Sequence, residues 1–219
     1  MRAPDPSFWR GRRVLITGHT GFKGAWAALW LHDLGAEITG IALEPPTSPS
    51  LFETAGIGGF LEDRRIDIRD GNALAAEVAR AAPEVVLHLA AQSLVRRSYE
   101  DPVETYATNV MGTVHLLEAV RRTRSCRSVL CVTSDKCYRN REWEWPYREN
   151  DELGGHDPYS SSKACAELVS SAFRDSFLRK AGIPIATGRA GNVLGGGDWA
   201  DDRLLPDLIR AFQACLLYT

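Results

Sequence analysis

Short apolar runs alternate with longer segments of helical hydrophobic periodicity along most of the chain. The runs have the length and apolar content of buried strands, and the longer segments repeat their apolar positions as amphipathic helices do. We predict helices at Lys23–Leu34, Asn72–Ala81, Val103–Arg122 and Tyr159–Lys180. We predict strands at Val14–Thr17, Glu37–Leu43, Arg65–Ile68, Val85–Leu89, Ser128–Thr133 and Ile185–Gly188. This alternation predicts an α/β fold, a doubly wound parallel sheet of Rossmann type with helices on both faces.

The order of these elements also predicts where the chemistry should lie. Ligands of doubly wound sheets bind beyond the carboxyl ends of the strands. That rule places five residues along one crevice: Gly18, Asp67, Ala90, Ser134 and Gly191. Two insertions interrupt the alternation, at 44–60 and at 139–155. The second carries several aromatic side chains among charges, and we interpret it either as an exposed loop or as a lid over the site.

Length, charge and cysteine usage narrow the class of protein. A chain of 219 residues with 44% hydrophobic content can bury the core of one domain, or of one domain and a small appendage. A formal charge of −2 provides neither a basic surface for nucleic acid nor a polybasic patch for a membrane. Five cysteines without metal-ligand spacing indicate reduced thiols, a cytoplasmic protein and no metal site. No long apolar segment suggests export or membrane insertion.

A glycine-rich turn follows the first predicted strand and reads GHTGFKG from Gly18. Gly18 permits the tight turn, Gly21 lets backbone N–H groups approach a pyrophosphate, and Gly24 lets the next helix pack closely on the strand. The spacing GxxGxxG is a variant of the commoner GxGxxG. The strand–turn–helix context favours a dinucleotide site over a glycine turn in an α/β domain without a cofactor.

Tyr159 and Lys163 are four residues apart, which on a helix places them one turn apart, about 6 Å along the axis. Asp157 and Pro158 fit the start of that helix. Lowering the pKa of a tyrosine from about 10 toward neutrality takes about 4 kcal/mol, and a nearby ammonium can contribute much of it. The pair suits a proton-transferring tyrosine, although an ordinary serine-rich helix end would show the same spacing.

Seven segments carry a shared pattern: TGHTGFKG, DIRD, HLAAQ, SYEDPVETYATNVMGTVHLLEAVR, TSDKCY, YRENDELGGHDPYSSSK and RAGNVLGGGDWADDRLLPDLIRA. Together they resemble the extended short-chain dehydrogenase/reductase family over about Phe8 to Ala214. Asp135-Lys136 is the discriminating pair, because related dTDP-glucose dehydratases carry Asp-Glu there and epimerases a small or apolar residue. The resemblance implies an NAD-dependent lyase that dehydrates a small nucleotide sugar, CDP-glucose, in deoxysugar and lipopolysaccharide O-antigen biosynthesis.

The resemblance implies roles for five catalytic residues: Ser134, Asp135, Lys136, Tyr159 and Lys163. Tyr159 takes the proton of the sugar 4-hydroxyl, Ser134 hydrogen-bonds the same oxygen, and Lys163 holds the nicotinamide ribose and keeps the phenol acidic. Lys136 then removes the C5 proton and Asp135 protonates the departing C6 hydroxyl. These last two roles require a neutral amine and a protonated carboxyl, which a buried, dry site would favour. The alternative is a surface Asp-Lys pair at a strand end.

The resemblance also implies binding residues. For the cofactor these are Gly18, Thr20, Gly21, Phe22, Lys23, Gly24, Asp67, Ile68, Ala90, Ala91, Gln92, Asn109, Tyr159 and Lys163. For the sugar nucleotide they are Asn192, Trp199, Arg203 and Leu204. Ala42 stands where many relatives place a ribose-binding aspartate, and Glu44 is a possible substitute. No Arg or Lys lies nearby in sequence to bind a 2′-phosphate, so NAD is predicted rather than NADP.

The same resemblance divides the chain into three parts. They are an NAD-binding domain at 8–190, the start of an incomplete substrate-binding region at 191–214 and an unmatched tail at 215–219. We expect such a chain to bind NAD weakly and to turn over little substrate. Relatives pair through the long helices, which predicts a homodimer. Two alternatives stay open, another nucleotide-sugar epimerase or dehydratase, and a dinucleotide-binding module without catalysis.

Overall fold

A computed structural model describes residues 5–216 and contains one sheet of six parallel strands. The strands are β1 (Arg13–Thr17), β2 (Glu37–Ala42), β3 (Glu62–Arg65), β4 (Val85–His88), β5 (Ser128–Val132) and β6 (Ile185–Gly188). Their order in the sheet is β3-β2-β1-β4-β5-β6. The strand order reverses between β1 and β4, as it does in doubly wound folds that bind dinucleotides. The predicted fold class is confirmed.

Helices cover both faces of the sheet. They are α1 (Pro6–Trp9), α2 (Phe22–Asp33), α3 (Leu51–Thr54), α4 (Gly71–Ala81), α5 (Val95–Glu100), α6 (Pro102–Tyr106), α7 (Gly112–Arg122), α8 (Pro158–Phe173) and α9 (Leu204–Gln213). A hydrophobic core lies on each face of the sheet, and alternate residues of β1 point into one core or the other. Leu15 packs in the core under α4 and α7, whereas Val14 and Ile16 pack in the core under α2. Burial on both faces explains why this strand reads as an uninterrupted apolar run.

The predicted helix Val103–Arg122 is interrupted by a π-helical turn at Ala107–Met111, between α6 and α7. The predicted helix Tyr159–Lys180 likewise ends as α8 and continues as a π-helical turn at Arg174–Leu178. π turns of this kind are frequent at functional sites, because they turn a side chain out of the regular helical register. Here the first of them carries Asn109, which is buried.

The third strand was predicted in the wrong place. It runs over Glu62–Arg65 rather than Arg65–Ile68, and it forms the edge of the sheet. An edge strand needs no apolar run, and this one engages charged partners such as Arg80 and Glu77 on α4. Ile68 is buried in the core, but it lies after the strand. An apolar residue occurs at position 68 because it packs in the core, and not because it belongs to a strand.

All five cysteines lie among the described residues, and each is a free thiol. Residues 5–216 contain no group of three or more His, Cys, Asp or Glu side chains placed to hold a metal ion. Over the same residues, no helix has both the length and the apolar content to cross a membrane.

Candidate active site

Helix α8 carries two of the predicted catalytic side chains, Tyr159 and Lys163, and the Lys163 ammonium contacts the carboxyl end of β5. The first turn of α8 is fixed by Asp157, whose carboxylate accepts hydrogen bonds from the Ser160 backbone N–H at 2.8 Å and from the Ser160 hydroxyl at 2.5 Å. Pro158 occupies the first turn, where a missing N–H does no harm. Tyr159 and Lys163 are both buried in the structure. The predicted helix start and the alignment of the two side chains are confirmed.

Lys163 is buried away from water, and a second ammonium group, that of Lys23, lies near it. The Lys163 Nζ donates a hydrogen bond to the Val132 carbonyl oxygen at 3.3 Å. Burial lowers the pKa of Lys163 to about 8, and the ammonium of Lys23 contributes in the same direction. Burial also lowers the pKa of Lys23, with a further contribution from Arg203. Three cationic side chains thus converge on this end of the crevice, as a site for an anionic ligand requires.

The buried Lys163 predicts a pH-dependent stability. Its pKa of about 8 lies below the ordinary 10.5, so the unfolded chain holds one more proton between these values and stability rises with pH across that window. Below pH 8 Lys163 is charged in the folded protein, and its buried ammonium lowers the free energy of unfolding by up to about 3 kcal/mol. We expect Lys163→Met to be more stable relative to wild type at neutral pH than at pH 10.5, as measured by urea unfolding. A difference that stays constant with pH would contradict the assignment.

Tyr159 differs from the expectation drawn from sequence. Burial raises the pKa of its phenol, while a hydrogen bond with Ser134 and the charge of Arg203 act to lower it. The expected acidification by Lys163 does not dominate, because the protein surroundings penalise the phenolate more than the cations favour it. The side chain therefore rests as a neutral phenol.

Ser134 begins a one-turn 3₁₀ helix, Asp135–Cys137, that directly follows β5. Its hydroxyl accepts a hydrogen bond from the Lys136 backbone N–H at 3.2 Å and donates one to the Asp135 carboxylate at 3.1 Å. Asp135 and Lys136 are both exposed. The described residues thus bring this pair next to Ser134, but they do not supply the dry surroundings that the pair needs.

The glycine turn has the close packing predicted for a dinucleotide cradle. Gly18 has a φ of +79°, and a Cβ there would lie 2.7 Å from the Ala90 backbone nitrogen. A Cβ on Gly24 would lie 2.0 Å from the Gly18 carbonyl oxygen. Gly21 starts α2 and has room, since its Cβ would stay 3.5 Å from the same oxygen. Thr20 is buried and donates to the Leu43 carbonyl, which fixes the turn against the end of β2.

Asp67 and Ile68, two of the predicted cofactor-binding residues, lie after β3. A hydrogen bond from Arg69 to the Asp67 carboxylate lowers the pKa of Asp67. Ile68 is buried, and a Cβ on Gly112 would lie 2.4 Å from its Cδ1. The Ile68 side chain therefore packs on α7, so a ligand can approach only its backbone.

Asn109 connects the loop after β4 with α8. Its Oδ1 accepts from the Gln92 backbone N–H at 2.9 Å, and its Nδ2 donates to the Gln92 carbonyl at 2.9 Å and to the Ser162 hydroxyl at 2.8 Å. The loop that it fixes also carries Ala90 and Ala91. Asn109 thus uses its amide on the protein itself and shapes the crevice from behind.

The predicted substrate residues lie on the segment from 191 to 204, which crosses in front of α2. The Trp26 indole donates to the Gly196 carbonyl at 3.0 Å. Arg203 is half-buried and comes within 3.4 Å of the Ser93 hydroxyl. Trp199 is half-buried, whereas Asn192 and Leu204 are exposed. The structure thus brings the charge of Arg203 near Tyr159, a predicted catalytic residue, and leaves Asn192 and Leu204 exposed.

Sequence reasoning missed Arg65 at the end of β3. Its guanidinium donates to the Leu43 carbonyl at 2.7 Å and forms ion pairs with Asp63 at 2.7 Å and Glu44 at 3.7 Å. The pairing of β2 with β3 brings this cation to the region where sequence spacing indicated none. Asp63 also binds the buried His19 of the glycine turn at 2.9 Å. Only a correct placement of β3 would have revealed these contacts.

Comparison with known proteins places the chain in a family. The family model described as GDP-mannose 4,6 dehydratase matches residues 15–199. The chain belongs to this family. The expected membership of the extended short-chain dehydrogenases/reductases, to which this dehydratase family belongs, is thereby confirmed.

Individual relatives include dehydratases and an epimerase. The CDP-glucose 4,6-dehydratase of Salmonella typhimurium is 57% identical over 214 residues, which cover 95% of this chain and 60% of that protein. The dTDP-glucose 4,6-dehydratase of Xanthomonas campestris is 30% identical over 192 residues, which cover 83% of this chain and 53% of that protein. A crystal structure of UDP-glucose 4-epimerase from Brucella ovis in complex with NAD has a TM-score of 0.68 at 26% identity, covering 83% of this chain and 52% of that one. The dehydratase-family chain therefore spans 60% or less of the length of these relatives.

Proposed function

We propose that the chain binds NAD and a nucleotide sugar and dehydrates CDP-glucose to CDP-4-keto-6-deoxyglucose. The observation that carries the proposal is the position of Asp135 and Lys136 on the turn that begins at Ser134, a residue that acts to lower the pKa of the Tyr159 phenol. The identity of 57% with a CDP-glucose 4,6-dehydratase supports the same reaction and the same nucleotide. An epimerase needs the tyrosine and lysine, but it has no use for an acid and a base at C6 and C5.

The glycine turn fits NAD, because its three glycines bring backbone N–H groups to a helix start without a side chain in the way. Lys23 and Lys163 supply positive charge at that end of the crevice. Arg65 is already shared between two carboxylates, and these would repel a 2′-phosphate, which favours NAD over NADP. Bound NAD would accept a hydride from C4 of the sugar and return it to C6. Gly18 to Gly24, Asp67, the Ile68 backbone and the loop of Ala90 to Gln92 would hold it.

In the first half of the reaction Tyr159 accepts the proton of the sugar 4-hydroxyl. The Ser134 hydroxyl, which donates to Asp135 in the structure, would turn to donate its hydrogen bond to the same oxygen and so stabilise the developing charge. Burial raises the pKa of the Tyr159 phenol and so keeps it neutral. When NAD and the sugar nucleotide are bound, the positive charge of Lys163 has to offset this effect by stabilising the phenolate. The outcome is a 4-ketone, which acidifies the adjacent C5–H bond.

In the second half Lys136 removes the C5 proton and Asp135 protonates the departing C6 hydroxyl. Loss of water leaves a double bond between C5 and C6. These roles need a neutral amine and a protonated carboxyl, but both side chains are exposed to water. The bound sugar nucleotide therefore has to cover them and exclude water before the proton transfers can occur. Asn192, Trp199, Arg203 and Leu204 would hold the diphosphate and nucleoside above this turn.

The proposal includes a cytoplasmic homodimer. Its support is a set of free thiols and an exposed apolar surface on the two long helical segments. The large apolar side chains exposed there are Val103, Met111, Leu168 and Phe177. A helical face of this kind is typical of a surface that pairs with a second copy.

The proposed function is tested by product analysis. The chain is incubated with NAD and CDP-glucose in deuterated water, with UDP-glucose and dTDP-glucose in parallel. We expect a small yield of a CDP-linked 4-keto-6-deoxy sugar with deuterium at C5, and a still slower reaction with the other two nucleotides. A C4 epimer as product would indicate the epimerase alternative. Binding of NAD without any product would indicate a module without catalysis.

A further inference from the structure

Glu167 and Arg189 form a buried ion pair one turn of α8 beyond Lys163. The Arg189 guanidinium donates to both oxygens of the Glu167 carboxylate at 3.0 Å, and the two side chains are 15% and 6% exposed. These hydrogen bonds raise the pKa of Arg189, so the pair stays charged. An isolated buried ion pair contributes little net stability, so the contacts of this pair with neighbouring segments matter more than the pair itself.

The carboxylate of this pair holds the chain just before the catalytic turn. The Thr133 hydroxyl donates to one Glu167 oxygen at 2.6 Å, and the Thr187 hydroxyl of β6 donates to the other at 2.8 Å. The Thr133 backbone N–H also donates to the Gly188 carbonyl at 2.9 Å. Thr133 directly precedes Ser134, so Glu167 fixes the point at which the turn leaves the sheet.

The guanidinium of the pair holds the chain just after the turn. Arg189 lies over the ring of Tyr138, 4.7 Å from its centroid, and donates to the Glu149 carbonyl at 3.0 Å. Tyr138 is the residue that ends the turn Asp135–Cys137. Its ring stacks on Tyr147 with centroids 5.0 Å apart, and its backbone bridges to Leu153. Arg189 therefore anchors both the end of the turn and the segment from 139 to 155.

We propose that Glu167 and Arg189 are positioning residues that hold both ends of the segment from Thr133 to Tyr138 and so aim Asp135 and Lys136 at the sugar. This inference rests on the proposed function, since it assigns the pair to the elimination half of that reaction. Asp135 and Lys136 are exposed, and among the described residues their side chains make one hydrogen bond, between Asp135 and the Ser134 hydroxyl of the same segment. Their direction therefore depends on the two anchored ends. Tyr159 and Lys163 are fixed independently, by the packing of α8.

The test separates oxidation at C4 from elimination. CDP-6-deoxyglucose can be oxidised at C4 but has no C6 hydroxyl to lose, so reduced nicotinamide formed from it reports oxidation alone. We expect Tyr138→Leu to slow dehydration of CDP-glucose about tenfold or more while oxidation changes less than about twofold. Tyr138→Phe keeps the ring over Arg189 and should restore dehydration. Arg141→Met removes a similar contact between a guanidinium and an aromatic ring, over Trp143, and should change neither rate.

Hydrogen exchange supplies a readout that does not need turnover. The backbone N–H of Gly154 donates to the Cys137 carbonyl, and that of Arg139 donates to the Glu152 carbonyl. Both amides should exchange about tenfold faster in Tyr138→Leu and in Arg189→Met, with no change in β1 or β4. Equal loss of oxidation and dehydration, or unchanged exchange, would overturn the inference. If wild type dehydrates nothing, the proposed function fails and the exchange comparison alone decides whether the pair holds the turn.

Discussion

Replacing Lys136 with methionine should slow dehydration of CDP-glucose about a thousandfold while leaving oxidation at C4 almost unchanged. The substitution keeps an unbranched side chain on the turn but removes the amine that would take the C5 proton. Tyr159, Ser134 and Lys163 stay in place, because they are held by α8 and the end of β5 and not by the Lys136 side chain. Oxidation is followed as reduced nicotinamide formed with CDP-6-deoxyglucose, and elimination as deuterium incorporated at C5.

Lys180→Met is the matched control for Lys136→Met, since Lys180 is also an exposed lysine but lies in the turn that follows α8. It should leave both rates at the wild-type level. If Lys136→Met keeps full dehydration, Lys136 is not the C5 base, whatever the family of the chain. If Lys136→Met loses oxidation and elimination together, the side chain acts in binding and not in proton transfer.

Replacing Gly24 with alanine should abolish NAD binding and lower the free energy of unfolding by about 3 kcal/mol. The added Cβ would lie 2.0 Å from the Gly18 carbonyl oxygen and 2.8 Å from the His19 Cα. Both are backbone atoms, so no side-chain rotation can relieve the contact. The first turn of α2 would have to move away from the glycine turn, and the backbone N–H groups that face the pyrophosphate would move with it.

Calorimetric titration with NAD and urea unfolding measure the two effects of Gly24→Ala. Gly59→Ala is the matched control, because a Cβ at Gly59 meets no atom within 4 Å and the residue has no positive φ. It should bind NAD as wild type does. Wild-type NAD affinity in Gly24→Ala would show that the turn does not hold the dinucleotide.

The position of β3 shows where sequence patterns mislead. The alternation from Arg65 to Ile68 looks like a half-buried strand, yet the strand is the charged stretch Glu62–Arg65. Charged side chains are tolerated there because β3 is an edge strand and its partners lie on α4 and on the glycine turn. Strand pairing along an edge is set by backbone hydrogen bonds, which leave little trace in side-chain periodicity.

The candidate site was predictable where its geometry is local. Tyr159 and Lys163 share one helix, and Gly18 and Gly24 share one turn, so spacing alone aligns them. Arg65 could not be placed, because its contact with Leu43 depends on the register of β2 against β3. The burial of Tyr159, which raises the pKa of its phenol, likewise depends on everything packed around α8.

The sequence by itself determined the alternation of strands and helices, the glycine turn and the alignment of Tyr159 with Lys163, because each is encoded by residues that are close together in the chain. Tertiary structure alone decided which distant side chains meet. It placed Glu167 and Arg189 at the two ends of the turn that carries Asp135 and Lys136, and it left these two side chains exposed. The physical reason is that contacts between elements depend on sheet order and helix packing, which are set by the whole core and not by any single segment.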